Sequence, residues 1–332
     1  MSGLEQVGLV AIGRNEGDRL KACLNSVRHQ IKHIVYVDSG STDGSAEFAK
    51  SIGVEVVDLD LSIPFTAARA RNAGWRRLLE LCPTLEFVQF VDGDCEVVSS
   101  WLAIAQQALL NHTNDRWAVV CGRRREKYPD ASVYNLLCDL EWDTPTGEAR
   151  ACGGDSLMRV EALKQVGGFN PSLIAGEEPE LCVRLRQQDW KIWRLDEEMT
   201  RHDAQMTRLG QWWKRTQRAG HAFAEGAWLH GNSKQRHWMR ETRSIWLWGL
   251  GIPAVLLLAV WPTHGLSLLL MLAYPASIAK IILRYRAKLG TQTALYYGLS
   301  CVVGKFPQAL GAFQFYWNHL TGKRSQLIEY KM

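Results

Sequence analysis

The chain lacks three things whose absence narrows its function. It has no C-x-x-C pair among its 8 cysteines, no block of five like charges, and no glycine-rich, lysine-bearing loop after its first apolar run. Cysteines scattered at 23, 82, 95, 121, 138, 152, 182 and 301 make structural zinc unexpected and suit a reducing, cytosolic setting. A formal charge of +5, with only the short clusters Arg123-Arg124-Arg125 and Lys214-Arg215, suits phosphate binding, and no nucleic-acid partner is expected. The missing phosphate loop argues against a nucleotidyltransferase. Residues 7–12 are too short for the apolar region of a secretory leader, and charge follows at once, so no leader is expected.

What is present divides in two. The mean hydropathy of −0.16 conceals a mixed, charged segment up to about Gly231 and nearly continuous apolar sequence over 244–283. In the first segment, residues 7–12, 34–37 and 54–57 read as strands buried on both faces. Leu20, Leu24 and Val27 recur at helical spacing between the first two. Strand, helix, strand, helix, strand predicts a right-handed, mostly parallel α/β sheet, which binds ligands at the carboxyl ends of its strands. Arg14-Asn15-Glu16 and Asp38 stand at such ends. A helix is expected from near Pro64, with a small-residue face and the pair Arg71-Asn72.

The apolar run 87–91 ends in Asp92-Gly93-Asp94. Side chains at i and i+2 of an extended segment point the same way, and Gly93 lets a ligand approach the backbone closely. Two carboxylates there suit a divalent cation, Mg²⁺ or Mn²⁺, carrying a diphosphate. An isolated D-x-D is most often an Asp-Gly turn; its place at a strand end raises the functional reading.

The 38–44 segment (Asp-Ser-Gly-Ser-Thr-Asp-Gly), then Ala70-Arg71-Asn72, then Asp92-Gly93-Asp94, resemble in order and interval an inverting family 2 glycosyltransferase of the GT-A fold. Gly153-Gly154-Asp155 resembles that family's acceptor-side G-G-N segment, and residues 175–185 its G-E-D-x-[DE]-L-x-x-R-L element. The resemblance covers about Val7 to Gly226. It implies that Asp38 contacts the base or ribose of a nucleotide-diphosphate sugar, that Arg71 is a second donor contact, and that Asp92 and Asp94 position cation and diphosphate. Asp94, farther out, is expected as the direct metal ligand and Asp92 as a ribose or indirect contact. Glu178 stands where the family places its catalytic Asp, so the resemblance implies Glu178 as the base, with Glu177 before it as the alternative catalytic carboxylate. Pro179 disfavours helix at Glu178, so a loop-held base ahead of a helix over 180–188 is expected; the alternative is an acidic helix N-terminus. Ile12 replaces the family's usual Pro, while Asn15-Glu16 is retained. His202 is a candidate metal ligand, with a structural histidine as the alternative. Arg215 and Arg218, one helical turn apart, are candidates for the diphosphate, in a Trp-rich segment that also suits a membrane surface.

The last third differs in kind. Residues 244–262 carry no charge, and 265–283 carry only Lys280. Each is near the roughly 20 residues that span a bilayer, and a tight turn joins them. Basic residues flank both, so the positive-inside rule predicts a multi-pass inner-membrane protein with both ends and the catalytic domain cytoplasmic. The expected division is 1–230 catalytic (donor half about 1–125, acceptor half about 126–230), 231–243 basic linker, 244–283 two spans, and 284–332 interfacial or re-entrant helices, with a third span over 293–320 as the alternative. Such an architecture implies a lipid-linked saccharide acceptor, for envelope or exopolysaccharide synthesis. A polyprenyl-phosphate sugar synthase and a non-catalytic membrane scaffold are the competing readings.

Overall fold

A computed structural model describes residues 4–330. The first elements are β1 (Val7–Gly13), α1 (Asp18–Val27), β2 (His33–Asp38), α2 (Ser45–Ser51), β3 (Glu55–Asp58), α3 (Ala67–Leu81) and β4 (Phe87–Asp92). There follow β5 (Cys95–Val97), α4 (Trp101–Asn111), β6 (Trp117–Glu126), α5 (Val133–Glu141), β7 (Gly147–Ala149), β8 (Ser156–Arg159), α6 (Val160–Val166), α7 (Glu177–Gln187) and β9 (Lys191–His202). The strands form one sheet in the order β3-β2-β1-β4-β8-β6-β9-β5, with β7 on β9. β3, β2, β1 and β4 are parallel; beyond them the sheet is mixed, since β8 runs antiparallel to β4 and β6 while β6 and β9 are parallel.

Burial explains the strands. Leu9, Val10, Val35, Val37, Val88 and Phe90 are wholly enclosed, and each such side chain contributes about 1.5–3 kcal/mol relative to exposure. Helix α3 approaches β1 closely because Gly74 lies against Val10, where a Cβ would overlap. The helix opens at Ala67 and not near Pro64: Thr66 caps it, its Oγ1 accepting from Arg69 N at 3.2 Å. Register places the ends of β2, β1 and β4 side by side, Gly13 opposite Asp38 and Ile12 opposite Asp92.

One expectation is corrected here. Helix α7 begins at Glu177, not Glu180, so Glu178 is helical and not loop-held. Pro179 falls in the first turn, where a missing N–H costs no intrahelical bond, and this outweighs its bias on the preceding residue.

The chain divides into two compact units, one comprising residues up to Ala131 with Cys138–Gln205, the other Ser132–Leu137 with the chain from Met206 onward. The second unit is helical: α8 (Leu209–His230), α9 (Met239–Trp246), α10 (Ile252–Ala259), α11 (Ala273–Leu289), α12 (Thr291–Val303) and α13 (Lys305–Leu320). A π-helical turn over Leu247–Gly251 joins α9 to α10, and a 3₁₀ stretch over Leu266–Leu272 leads into α11. The continuous helices Met239–Ala259 and Leu266–Leu289 are long and apolar enough to cross a membrane, and most of their apolar surface is unburied. Helices α12 and α13, 13 and 16 residues long and parted at Gly304, are each shorter than a span. Helix α13 lies directly on α8, Gly220 against the Gln308 backbone and Gly311 against that of Gln217.

Candidate active site

The end of β4 carries two carboxylates with opposite surroundings. Asp92 is gripped by arginines: Arg71 Nη2 donates to Oδ1 at 2.7 Å and Arg124 Nη2 to Oδ2 at 3.3 Å. Arg71 Nη1 also donates to Glu177 Oε1 at 2.5 Å, and Arg124 pairs with Asp155 at 2.7 Å. Asp155 is wholly buried, accepts from Asp92 N at 3.0 Å and from Thr200 Oγ1 at 2.7 Å, and so ties β4 to β9. Burial alone would lower the Arg71 pKa, but the Asp92 and Glu177 carboxylates outweigh it and raise it; burial opposed by Asp155 and Asp92 leaves Arg124 raised likewise. Gly154 is required at this crossing, because a Cβ there would stand 2.8 Å from Asp92 Oδ2 and 3.0 Å from Arg71 Nη2.

Asp94 faces the other way. Its Oδ2 lies 3.1 Å from His202 Nε2, and Cys95 Sγ donates to Oδ1 at 3.6 Å. The pairing of β5 with β9, Cys95 opposite His202, sets that meeting. Glu126 Oε2, itself taking Ala204 N at 3.1 Å, lies 3.5 Å from His202 Nδ1. Asp94, Cys95 and His202 offer ligand atoms within 4.8 Å of one another, as do Asp92, Cys95 and Asp155. In the first set, the carboxylate in the turn after β4 and the imidazole at the end of β9 fit a divalent cation. Gly93 donates from N to Ile12 O at 2.8 Å, and a Cβ there would approach that oxygen at 3.1 Å.

The remaining expected residues fall into three settings. Asp38 is buried and turned on its own loop: Oδ2 accepts Gly40 N (2.9 Å) and Ser41 N (2.8 Å), Oδ1 accepts Tyr36 Oη (2.9 Å). Asn15, left-handed at φ 56°, clasps the same loop through Thr42 N to Oδ1 at 2.7 Å. Arg14 lies over the Phe65 ring, and Glu16 pairs with Arg19 at 2.8 Å. Glu178, buried, accepts Cys152 N at 2.6 Å, Cys152 Sγ at 3.0 Å and Cys182 Sγ at 3.1 Å, all on Oε1. Burial raises its carboxyl above the ordinary range despite those donors. Arg215 and Arg218 are on α8, in the second unit.

Sequence reasoning noted Arg124 only as part of a basic cluster and passed over Trp142 and the two thiols. Trp142 stands edge-on to His202 with centroids 4.7 Å apart and covers the Arg124 guanidinium at 5.5 Å. Nothing local marks Trp142 or the thiols: Trp142 meets His202 from 60 positions away, and Cys152 meets Cys182 from 30; for Arg124 the basic cluster was the available signal.

A parallel strand-end site on a mixed sheet, closed by a D-x-D and a returning histidine strand, defines a GT-A nucleotide-sugar transferase fold. Residues 10–167 match the model of glycosyl transferase family 2, and the domain that carries them is a GT-A glycosyltransferase domain of that family. The chain is 23% identical over 204 residues to glycosyltransferase AglE of Haloferax volcanii (58% of this chain, 64% of the relative) and 24% identical over 196 residues to the succinoglycan biosynthesis protein ExoA of Rhizobium meliloti (55% and 58%). It thus spans about three fifths of the length of these curated relatives. In fold it is similar to the mannosyltransferase PcManGT of Pyrobaculum calidifontis, solved with GDP-Man and Mn²⁺ (TM-score 0.61, 18% identity, 94% of this chain and 87% of that one). A fragment of S. aureus TarS also aligns (TM-score 0.50, 14% identity, 93% and 91%).

Proposed function

We propose that the protein is a membrane-anchored, metal-dependent, inverting glycosyltransferase that moves a sugar from a nucleotide-diphosphate donor to an acceptor hydroxyl, on a polyprenyl-linked saccharide in envelope or exopolysaccharide synthesis. The observation that carries it is the division of labour at β4: Asp92 committed to two arginines, Asp94 turned to His202. Asp94 and His202 hold Mg²⁺ or Mn²⁺; Asp92, fixed by Arg71 and Arg124, receives the donor ribose. The bound cation supplies charge stabilisation to the departing nucleoside diphosphate. Asp38 and the loop clasped by Asn15 border the base, with Arg14 and Glu16 beside it. Glu178 takes the acceptor proton through Oε2, the oxygen that none of its three donors occupies; burial, which raises its carboxyl, makes it a stronger base. Glu177 orients Arg71.

The helices Met239–Ala259 and Leu266–Leu289, flanked by basic residues, support anchoring in the inner membrane with the catalytic unit cytoplasmic, where nucleotide sugars and the head groups of lipid carriers are both accessible. The naming of ExoA for succinoglycan biosynthesis supports the polysaccharide reading. Glu178→Gln tests the chemistry. Loss of a general base lowers turnover about 10²–10⁴-fold, whereas a synthase that glycosylates a phosphate needs no base and keeps most of its rate.

A further inference from the structure

Beside the cation site lies a second cluster with different chemistry. Cys152, in the loop before β8, and Cys182, one turn after Glu178 on α7, bring their sulfurs to 3.8 Å, and Glu178 Oε1 lies 3.0 and 3.1 Å from them. All three residues are buried, Cys182 completely. Zinc–thiolate bonds of about 2.3 Å put two thiolates of a tetrahedral site about 3.8 Å apart, so the sulfurs already stand at the edge length such an ion demands. One further position would be left for water.

The geometry points to a soft-metal site: Cys152 Sγ, Cys182 Sγ and Glu178 Oε1 bind one thiophilic divalent ion, Zn²⁺ or Cd²⁺, and take Glu178 out of service. The two thiol protons leave for solvent as the ion enters, so one doubly charged ion replaces two protons and the pocket's net charge is unchanged. That exchange avoids the cost of adding charge to a low-dielectric interior. The site differs from the Asp94–His202 pair in donor type: sulfur selects zinc and its congeners, whereas oxygen and imidazole accept magnesium or manganese. Loss of turnover through this ion rests on Glu178 being the base; binding does not.

The full chain in detergent, its Asp94 site kept in excess Mg²⁺, is titrated with Cd²⁺ alone. One equivalent is expected to give an ultraviolet thiolate-to-metal charge-transfer band. Cys152→Ser and Cys182→Ser should each weaken binding by more than about 100-fold, the upper end of what loss of an outer-shell partner costs. Asp94→Ala should leave the band in place. X-ray absorption on the unmutated chain with one equivalent of Zn²⁺ should show two sulfur neighbours, a readout that depends on no variant folding. Absence of the band, its survival in both serine variants, or fewer than two sulfurs around zinc would overturn the site. Zinc binding that leaves turnover intact would instead keep the site and remove Glu178 as base.

Discussion

The two units bury opposite things. The sheet-bearing unit encloses charge, with Arg71, Asp94, Asp155, Glu177 and Glu178 all within it. The helical unit leaves apolar side chains outside, Leu258 at 80% and Trp261 at 89% exposure. In the first, each carboxylate has a stated partner, which is what makes burial of charge tolerable. In the second, two long helices leave most of their apolar side chains uncovered. The difference teaches that one unit holds charged groups in fixed places, whereas the other leaves a large apolar surface that the proposed membrane anchoring would cover.

The sharpest break of that contrast is Asp94→Ala. Metal-dependent turnover should fall by several kcal/mol of transition-state stabilisation, about 10³-fold or more, with the circular dichroism unchanged. Next, Arg71→Ala leaves the buried Glu177 without its cation and half-buried Asp92 with Arg124 alone, and chemical denaturation should record a loss of up to about 3–5 kcal/mol. In the helical unit, Leu258→Lys should weaken membrane association, since a central lysine costs about 2.5–3.5 kcal/mol on insertion; flotation with liposomes measures it, while the soluble-donor chemistry is untouched.

The smallest effect concerns a polar pair inside the helical unit. His221 and Glu225 are 3.4 Å apart, with His221 Nε2 on Ser325 Oγ at 3.0 Å. Burial lowers His221 to about 4 and raises Glu225 to about 7. Between its ordinary 4.5 and about 7, folded Glu225 keeps a proton that the unfolded chain releases, so its contribution to stability declines as pH rises through that window. His221 acts oppositely between about 4 and 6.5. Glu225→Gln removes only the first effect. Its stability relative to the parent should therefore grow with pH from 5 to 8, by on the order of 1 kcal/mol; a difference independent of pH would contradict this.

Much of the catalytic unit was legible because its signals are local. The apolar runs ending at Gly13, Asp38 and Asp92 specify parallel strands, and the carboxylates at their ends mark the candidate site. The α7 boundary was misjudged by weighing Pro179 against the residue before it and overlooking that a first-turn proline is free of hydrogen-bond cost. The surroundings of Arg124, Cys95, Cys152 and Cys182 were illegible for a different reason. Their roles arise from pairings such as β6 with β9 and from loop 152 meeting α7, contacts that no spacing along the chain encodes. The apolar helices were legible in composition, but the close backbone contact of α13 with α8 through Gly220 and Gly311 was not.

The central claim is that Asp94 and His202 couple a divalent cation to a nucleotide-diphosphate sugar. A thermal-denaturation screen of GDP- and UDP-sugars, with and without Mn²⁺, tests it on the parent chain and on Asp94→Ala. A cognate donor at 100 times its dissociation constant should add about 2.7 kcal/mol of stability, only with Mn²⁺ present and only in the parent. Equal stabilisation of Asp94→Ala, or stabilisation of the parent that ignores the metal, would contradict the account.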